Sequence, residues 1–532
     1  MLRLTRLCLA AAAAAAAVFA GAIAAIEAKA ADGALPPPTV SALPPPAAGA
    51  LPPPTAGDLA LIDAVTFGVN ASSVAGFQAL GAEKWLQGQL HPAASTRLPP
   101  AAQAQVDALP LTHRSALELA VEVDAQGRAA GLITDIGQRA AAAQVNQQTM
   151  SDLARQAANR TILRALYAPD QLRERMTWFW FNHFNVHQYN ANLRVLVGDY
   201  EDHAIRAHAL GRFRDILEAT LRHPAMLRYL DNADNAAGHI NENYAREIME
   251  LHTMGVGSGY TQKDVEELAR ILTGVGIDMR PDDPKLKPEQ QAQLLRDGLF
   301  EFNPARHDYG DKVLLGHTIK GSGFAEVKEA LDILSRQPAT ATHISRQIAT
   351  YFVGDDPPAA LVAHMAQSFT QSDGDIAKVL DTLFHAPEFK ASLGTRFKDP
   401  VQYVLSAVRL AYDDKVILNT APIQGWLNRL AEGLFNHQTP DGYSMTSSTW
   451  SGPGQMTTRF EIARQIGSSQ AGLFKPATPD AVEQPAFPLL QNALYFGSLR
   501  QTLGVATRTA LDQATSPQDW NTLFLCSPEF MH

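Results

Sequence analysis

The hydrophobic and polar positions follow a helical pattern along almost the whole chain from residue 58 onward. Helix start signals accompany this pattern. Residues 261–264 form a capping box before VEELARIL, and residues 372–375 form a second box before IAKVLDTLF. At residues 516–519 a serine is followed by proline at the first helical position, where its missing N–H costs least. The pattern predicts a mainly α, multi-helix domain.

One segment departs from the helical pattern. In residues 299–323, LFEFNPARHDYGDKVLLGHTIKGSG, two short extended runs flank a turn rich in proline, aspartate and glycine. This arrangement predicts a small β-hairpin or an ordered loop. The segment also separates two candidate helical lobes, residues 58–298 and residues 324–532, within one large domain that spans residues 58–532.

The N-terminal residues have a different composition. Residues 1–30 carry two early arginines, then an alanine-rich apolar run, then Ala-Lys-Ala, the layout of a secretory signal peptide. An uncleaved membrane anchor is the alternative, although the apolar core is short for a membrane span. We therefore expect an exported protein, periplasmic or extracellular, with no membrane span after cleavage.

Residues 31–57 follow as a proline-rich spacer. They contain three near-identical octads, ALPPPTVS, ALPPPAAG and ALPPPTAG. Three consecutive prolines favour extended polyproline II and remove backbone donors. The segment is either a semi-rigid spacer or a docking site for a proline-binding partner.

Charge and cysteine content restrict the possible partners of the chain and its possible disulfide bonds. The formal net charge is -10, and the chain has no run rich in lysine and arginine. A nucleic-acid partner is therefore not expected, because such proteins need a basic surface. Of the two cysteines, Cys8 lies in the predicted signal peptide, so Cys526 alone remains and no internal disulfide can form.

The segment NENYAREIMELHTMG, residues 241–255, carries the most informative carboxylates. On a helical wheel Ile240, Tyr244, Ile248 and Leu251 share one apolar arc. Three further side chains spaced four apart form an acid–base–acid ladder along the flank, and such a ladder is self-compensating. They are Glu242, Arg246 and Glu250.

Glu247 has no such compensation. It lies at the edge of the apolar arc, and its helical neighbours include Asn243 but no cation. A carboxylate held there needs a partner from another segment or must take up a proton, because an unpaired buried charge is costly. Asn243 can orient the carboxyl but cannot neutralise it. Three alternatives remain: a structural Arg–Glu pair, a catalytic or metal-binding role, or a helix phase that exposes Glu247 to water.

Histidines provide candidate partners. His183 and His187 lie four residues apart in MTWFWFNHFNVHQYN, an aromatic segment predicted to be an interior helix. The same spacing can bind a metal ion, which makes a divalent metal a candidate cofactor, but it also fits buried core histidines. His307 and Asp308 lie in the non-helical segment, where the pair suits either proton transfer or ordinary turn chemistry.

At these segments the chain resembles the uncharacterised bacterial "domain of unknown function 1800" family. The similarity includes TWFWFNHFNV, NENYAREIMELHTMGVGSGYTQKDVEELARILTG, FNPARHDYGDKVLLG and the final SPEFM. The family's characteristic NHF motif contains His183 but no second histidine at position 187, so His183 is the better metal candidate. The resemblance implies an exported helical protein, often encoded beside an exported protein with a sulfatase/phosphatase-like fold. It implies no established reaction.

Two hypotheses follow. In the first, an exported helical hydrolase uses Glu247 with Asn243, His183, His307 and Asp308 in acid–base or metal-assisted chemistry on an extracellular polymer or its decoration. In the second, the same polar residues form a buried network in a non-catalytic scaffold or binding protein. The sequence identifies no substrate and no oligomeric state.

Overall fold

A computed structural model describes residues 52–93, 96–190, 192–280, 282–413, 415–476 and 486–532. The predicted signal peptide and all but the last residues of the proline-rich spacer lie outside the described residues. Within these ranges, helices account for most residues and the strands are short. The prediction of a mainly α fold is confirmed.

The first half of the chain is built from short helices and one long one. In order they are α1 Ala56–Val65, α2 Ala71–Leu80, α3 Ala82–Leu90, α4 Pro100–Asp107, α5 Ala116–Gly131, α6 Ile136–Tyr167, α7 Gln171–His183, α8 Val197–Asp199, α9 Phe213–Arg222, α10 Pro224–Tyr229, α11 Asn243–Glu247, α12 Gln262–Ile271 and α13 Pro288–Gln291. Wider π-helical turns at Tyr200–Ile205 and Ile248–His252 directly follow α8 and α11.

The second half continues in the same way. Its helices are α14 Phe324–Ser335, α15 Pro338–Val353, α16 Ala359–Gln371, α17 Ile376–His385, α18 Pro387–Ser392, α19 Pro400–Ala411, α20 Ala421–Arg429, α21 Ser447–Trp450, α22 Pro453–Ile466, α23 Arg500–Thr502, α24 Val505–Asp512, α25 Pro517–Leu525 and α26 Pro528–Met531. A third π-helical turn, Tyr495–Leu499, precedes α23. Short 3₁₀ turns occur at Pro110–His113, Leu193–Val195, Arg206–His208, Asn232–Asp234 and Pro304–Arg306.

The predicted capping residues explain where several helices begin. The Thr261 side chain accepts from the amide of Asp264 before α12, and Ser516 accepts from the amide of Asp519 before α25. Helix α17 differs from the prediction, because Asp375 rather than Ser372 is its N-cap. Ser372 instead accepts from the amide of Asp375 and so holds the turn that precedes the cap.

Five short strands lie between residues 275 and 319. β1 Val275–Ile277 and β2 Leu295–Asp297 both pair antiparallel with β3 Phe300–Phe302, which is central. β4 Lys312–Leu314 and β5 His317–Ile319 form a separate hairpin. The segment 299–323 therefore contains the expected hairpin, but its first extended run pairs with residues upstream rather than with its second run.

Two hydrophobic clusters form the interior of the unit Pro53–His532. The larger draws mainly on residues 59–389 and the smaller mainly on residues 401–531. Helix α7 contributes to both, since Phe179 and Trp180 pack in the larger cluster and Trp178 in the smaller. Its aromatic residues are buried on all sides, as the sequence predicts. Among the described helices, none has the length and apolar character needed to cross a bilayer.

Candidate functional site

Helix α11 and the π-helical turn after it carry the predicted acid–base–acid ladder. The Arg246 guanidinium lies 3.1 Å from Glu242 Oε2 and 3.5 Å from Glu250 Oε1. Tyr244 and Ile248 are buried, as expected, but Ile240 is 39% exposed and precedes the helix. The ladder is thus present, and the buried arc is shorter than the wheel predicts.

Glu247 is half-buried and stands apart from this ladder. Among the described residues it has no hydrogen-bond or ion-pair partner. Burial raises the pKa of its carboxyl, and repulsion from Glu250 and Asp441 raises it further, against a weaker opposing effect of Arg246. An acid in this position favours the protonated form more than an ordinary surface glutamate does.

The loop of residues 435–443 supplies the second carboxylate. Two amides at the end of α7 hold this loop in place. Asn182 donates to the carbonyl of Tyr443 at 2.9 Å and accepts from its amide at 2.6 Å. Asn185 donates to the carbonyls of His437 and Thr439, at 3.1 and 2.8 Å. The loop therefore has a fixed position against the aromatic helix.

Asp441 is exposed and is oriented within this loop. The Thr439 hydroxyl donates to Asp441 Oδ1 at 2.5 Å, and Nε2 of His437 lies 3.0 Å from the same hydroxyl oxygen. His437 Nε2 is also 3.5 Å from Asp441 Oδ1. Because the hydroxyl proton is directed to Asp441, the hydroxyl oxygen is free to accept from His437.

Tyr229, the last residue of α10, contacts the same loop. Its hydroxyl donates to the carbonyl of Gln438 at 2.8 Å. Burial raises the pKa of Tyr229 to about 12, and the charges of Asp441 and Glu247 add to this rise. The charges of both acids therefore act on the phenol, which remains protonated at neutral pH.

His187 also borders the loop, although not as predicted. Helix α7 ends at His183, so His183 and His187 do not share a helix face. The helix ends there because the chain turns away at Phe184 and Asn185 engages the loop. Burial lowers the pKa of His187, with a hydrogen bond that the ring donates to Asn436 opposing the shift and the nearby His437 adding to it.

His183 lies in a different place, in a cluster with His252 and His343. The ring centres of His252 and His343 are 6.1 and 6.2 Å from that of His183. His183 Nε2 lies 3.1 Å from the carbonyl of His252, and His343 Nε2 lies 3.3 Å from that of Leu251. Burial lowers the pKa of His183 to about 3 and that of His252 well below its ordinary value. These three histidines are therefore neutral at physiological pH.

Asn243 does not orient Glu247. It is exposed, and its side-chain amide donates to the carbonyl of Leu230 at 3.3 Å. Its backbone amide donates to Asn241 Oδ1 at 3.0 Å. Asn243 thus fixes the start of α11 rather than the carboxyl one turn later.

His307 and Asp308 lie in a third place and have separate partners. The His307 ring contacts Glu326 Oε1 at 2.9 Å and the carbonyl of Thr273 at 2.7 Å, and its side chain has no exposed surface. Asp308 pairs with Arg270, with Nε to Oδ2 at 2.9 Å. Among the described residues, no hydrogen bond, ion pair or ring contact joins Glu247 to His183, His307 or Asp308.

The geometry required for a metal site is also not present in this part of the chain. Within the described ranges, no group of three or more histidine, cysteine, aspartate or glutamate side chains is arranged to hold a metal ion. The metal-binding roles of His183, Glu247 and His187 remain predictions from the sequence. Glu247 and His187 both lie near the 435–443 loop, since Asp441 acts on the Glu247 carboxyl and Asn436 and His437 act on the His187 ring.

A family assignment follows from comparison with known proteins. The model described as "Protein of unknown function (DUF1800)" matches residues 60–532, nearly the whole chain. The chain belongs to the DUF1800 family. The resemblance inferred from the sequence motifs is thereby confirmed. Searches of curated proteins and of solved structures found no significant match.

The sequence motifs of this DUF1800 protein locate Glu247 but not its neighbours. Asp441, His437 and Tyr229 were not predicted as site residues. Asp441 lies in FNHQTPDGY, which looks like an ordinary turn segment, and Tyr229 ends an apolar helix. Only the packing of the loop against α7 and α10 brings the charge of Asp441 and the phenol of Tyr229 within electrostatic range of Glu247.

Proposed function

We propose that this protein is an exported acid–base hydrolase in which Glu247 donates the proton and Asp441 is the partner carboxylate. The observation that supports it best is the half-buried Glu247 carboxyl, which has no ion-pair partner among the described residues. Two acids whose surroundings separate their proton affinities can divide the roles of acid and base. Glu247 is held toward its protonated form by burial and by Asp441, whereas Asp441 is exposed to water.

The chemistry needs only these two groups and water. Glu247 gives its proton to the leaving-group oxygen as the scissile bond breaks. Asp441 takes a proton from the attacking water, whose oxygen forms the new bond. After release of both products, proton exchange with solvent restores the starting protonation states.

Neighbouring residues would position the reacting groups. Tyr229 stays protonated and holds the loop through Gln438, so it fixes Asp441 relative to Glu247. Thr439 and His437 orient the Asp441 carboxylate. His187 lies beside Asn436 and His437 and offers a neutral hydrogen-bonding edge to a polar substrate.

Export and substrate class rest on the sequence. The charged, apolar and small-residue order of residues 1–30 supports secretion. An exported hydrolase with a polar, carboxylate-bearing site suits an extracellular polymer or a group attached to it. A glycosidic or ester bond would supply the leaving-group oxygen that Glu247 protonates.

The test compares Glu247→Gln and Asp441→Asn with Glu242→Gln, which removes a carboxylate of the ladder on the same segment. Each protein is assayed on chromogenic glycosides and esters, and its folding is checked by circular dichroism. We expect the first two variants to lose about 10²-fold or more in rate and the third to lose little. Equal activity of Glu247→Gln and the unaltered protein would contradict the proposal.

The scaffold alternative has its own supporting observation. The fully enclosed His307–Glu326–Lys312 group shows that this chain uses buried ions to fix its structure. As a scaffold, the protein would show no hydrolysis in any variant. It would instead bind a second exported protein, and the sulfatase/phosphatase-like neighbour implied by the family is the partner to test.

A further inference from the structure

A cavity of about 450 Å³ lies away from the Glu247 site, between the two hydrophobic clusters. Its apolar wall comes from both of them. Leu59, Val69 and Phe352 belong to the larger cluster, and Leu410 and Phe524 to the smaller. This volume is in the range of small-molecule sites.

Three cations also line this cavity, and two of them are paired. The guanidinium of Arg396 lies 3.2 Å from Asp399 Oδ2. The ammonium group of Lys398 lies 3.1 Å from Asp63 Oδ1 and donates to the carbonyl of Phe530 at 2.9 Å. Their charges are therefore compensated within the wall.

Arg175 is the third cation and has no such partner. Its side chain is 1% exposed, and no carboxylate of the described residues lies within ion-pairing distance of it. Nη1 donates to the carbonyl of Thr66 at 2.9 Å, and Nη2 donates to no other described residue. Nε also has no partner among the described residues, but it is enclosed by protein. A buried charge left this way costs several kcal/mol unless something compensates it.

Aromatic rings give Arg175 partial compensation only. Its guanidinium carbon lies 4.9 Å from the ring centre of Tyr351 and 5.4 Å from that of Phe352. Such contacts stabilise a cation but leave its N–H donors unused. The free donors of Arg175 therefore suit an oxyanion at the cavity wall.

The two carboxylates of the wall have partners of their own. Asp63 is paired with Lys398. Glu529 accepts from the amide of Gly504 and the hydroxyl of Thr507, each at 2.7 Å. The cavity thus combines an apolar interior with one cation that lacks an anion.

We propose that this cavity binds a single-chain amphiphile with a carboxylate head, a medium-chain fatty acid, whose head pairs with Arg175. The alkyl chain replaces water along the Leu59, Phe352 and Phe524 wall. The carboxylate accepts from Nη2 and compensates the buried charge. This site requires neither Glu247 nor Asp441, so it stands whether or not the protein is a hydrolase.

Binding of decanoate and of 1-decanol to the full-length protein, measured by isothermal titration calorimetry, tests the charge requirement. Both probes have ten carbon atoms in one unbranched chain, and only decanoate carries a charge. We expect saturable one-to-one binding of decanoate and binding of 1-decanol weaker by about tenfold or more. Equal affinities, or no saturable binding of decanoate, would overturn the proposal.

Two alanine variants test the location. Ala60 lines the cavity, whereas Ala75 is exposed on the neighbouring helix α2 and does not. Ala60→Phe should weaken decanoate binding by about tenfold or more, and Ala75→Phe should leave it unchanged. Full decanoate affinity in Ala60→Phe would place the ligand elsewhere and refute the assignment.

Arg175→Gln tests the head group directly. We expect this variant to bind decanoate and 1-decanol with equal affinity. A preserved preference for decanoate would exclude Arg175 as the anion partner. If the variant does not fold, the comparison of the two probes on the unaltered protein and the alanine pair still decide the question.

Discussion

Nε2 of His307 lies 2.9 Å from Oε1 of Glu326, and neither side chain has any exposed surface. Oε2 of the same glutamate receives the ammonium group of Lys312, which is equally enclosed. The backbone amides of Ser322 and Gly323 add two more donors to Oε1, at 2.6 and 3.1 Å. Glu326, in the first turn of α14, therefore joins Lys312 of β4, His307 and the turn before α14 in one buried ionic group.

We expect Glu326→Gln to destabilise the protein by about 3–5 kcal/mol, because it leaves Lys312 buried without its counter-charge. Urea unfolding measures the change. Asp311→Asn is the matched control, since Asp311 pairs with Lys320 at the surface, and it should leave the unfolding midpoint unchanged. Equal effects of the two substitutions would mean that the buried ionic group contributes no more to the free energy of unfolding than the surface pair does.

Glu326 also predicts a dependence of stability on acidity. The hydrogen bond to His307 and the other donors lower the pKa of Glu326 in the folded state below 4.5. Its contribution is complete above this value and is lost as the pH falls below it, because the unfolded chain then binds the proton first. Unfolding free energies of Glu326→Gln and the unaltered protein should therefore converge in acid.

The opposite result is expected for Glu247→Gln. Glu247 has a raised pKa, so its ionisation above pH 4.5 opposes folding rather than supporting it. Replacing it should keep the unfolding free energy within about 0.5 kcal/mol or raise it slightly at pH 7. A large loss of stability would show that Glu247 is a structural ion-pair residue.

The cluster of His183, His252 and His343 predicts a second pH effect. The pKa values of all three are lowered in the folded state from 6.5, chiefly by burial. Unfolding then takes up protons below pH 6.5, so stability is present above that pH and declines as the pH falls. Each histidine contributes a slope of at most about 1.4 kcal/mol per pH unit.

His252→Asn removes the proton uptake of one of these histidines on unfolding. Unfolding free energies measured between pH 6.5 and 5 should fall less steeply in this variant than in the unaltered protein. His203→Asn is the control, because Asp199 raises the pKa of the exposed His203 and its effect has the opposite sign. An unchanged slope in His252→Asn would show that His252 is charged in the folded protein.

Gly442 sets the position of Asp441. Its φ of +73° disfavours any side chain, and a Cβ atom there would overlap the backbone oxygen of Asn182. Gly442→Ala should break the Asn182–Tyr443 contacts and destabilise the protein by about 1–3 kcal/mol. It should also lower the activity on the chromogenic substrates.

The control for this substitution is Gly454→Ala in α22. No atom lies within 4 Å of the position of a new Cβ there. This change should be neutral or stabilise by about 0.4–1 kcal/mol. If the two glycine variants behave alike, the loop is not held by the contact between Gly442 and Asn182.

Helical periodicity alone correctly separated Glu247 from Glu242 and Glu250. It could not reveal the π-helical turn at Ile248–His252, because a wheel assumes a constant 100° per residue and a π turn breaks that phase. Leu251 consequently lies partly exposed although the wheel buries it. The sequence also could not predict that α7 ends at His183, because that end depends on contacts of Asn185 with a distant loop.

No local pattern could predict which residues act electrostatically on Glu247. Asp441 and Tyr229 come from separate segments, and neither has a sequence context that differs from an ordinary turn or helix end. For His307 and Asp308 the local pattern suggested a site that the tertiary structure does not form. Their sequence resembles a proton-transfer pair, yet tertiary contacts enclose one with Glu326 and pair the other with Arg270.

His532 and Ala56 both line the same cavity as Arg175. An affinity tag fused directly to either residue would start at the cavity wall and crowd its mouth. Purification handles for ligand-binding work therefore belong before the proline-rich spacer and after the predicted signal peptide, and a cleaved and an uncleaved tag after His532 should give different titration curves.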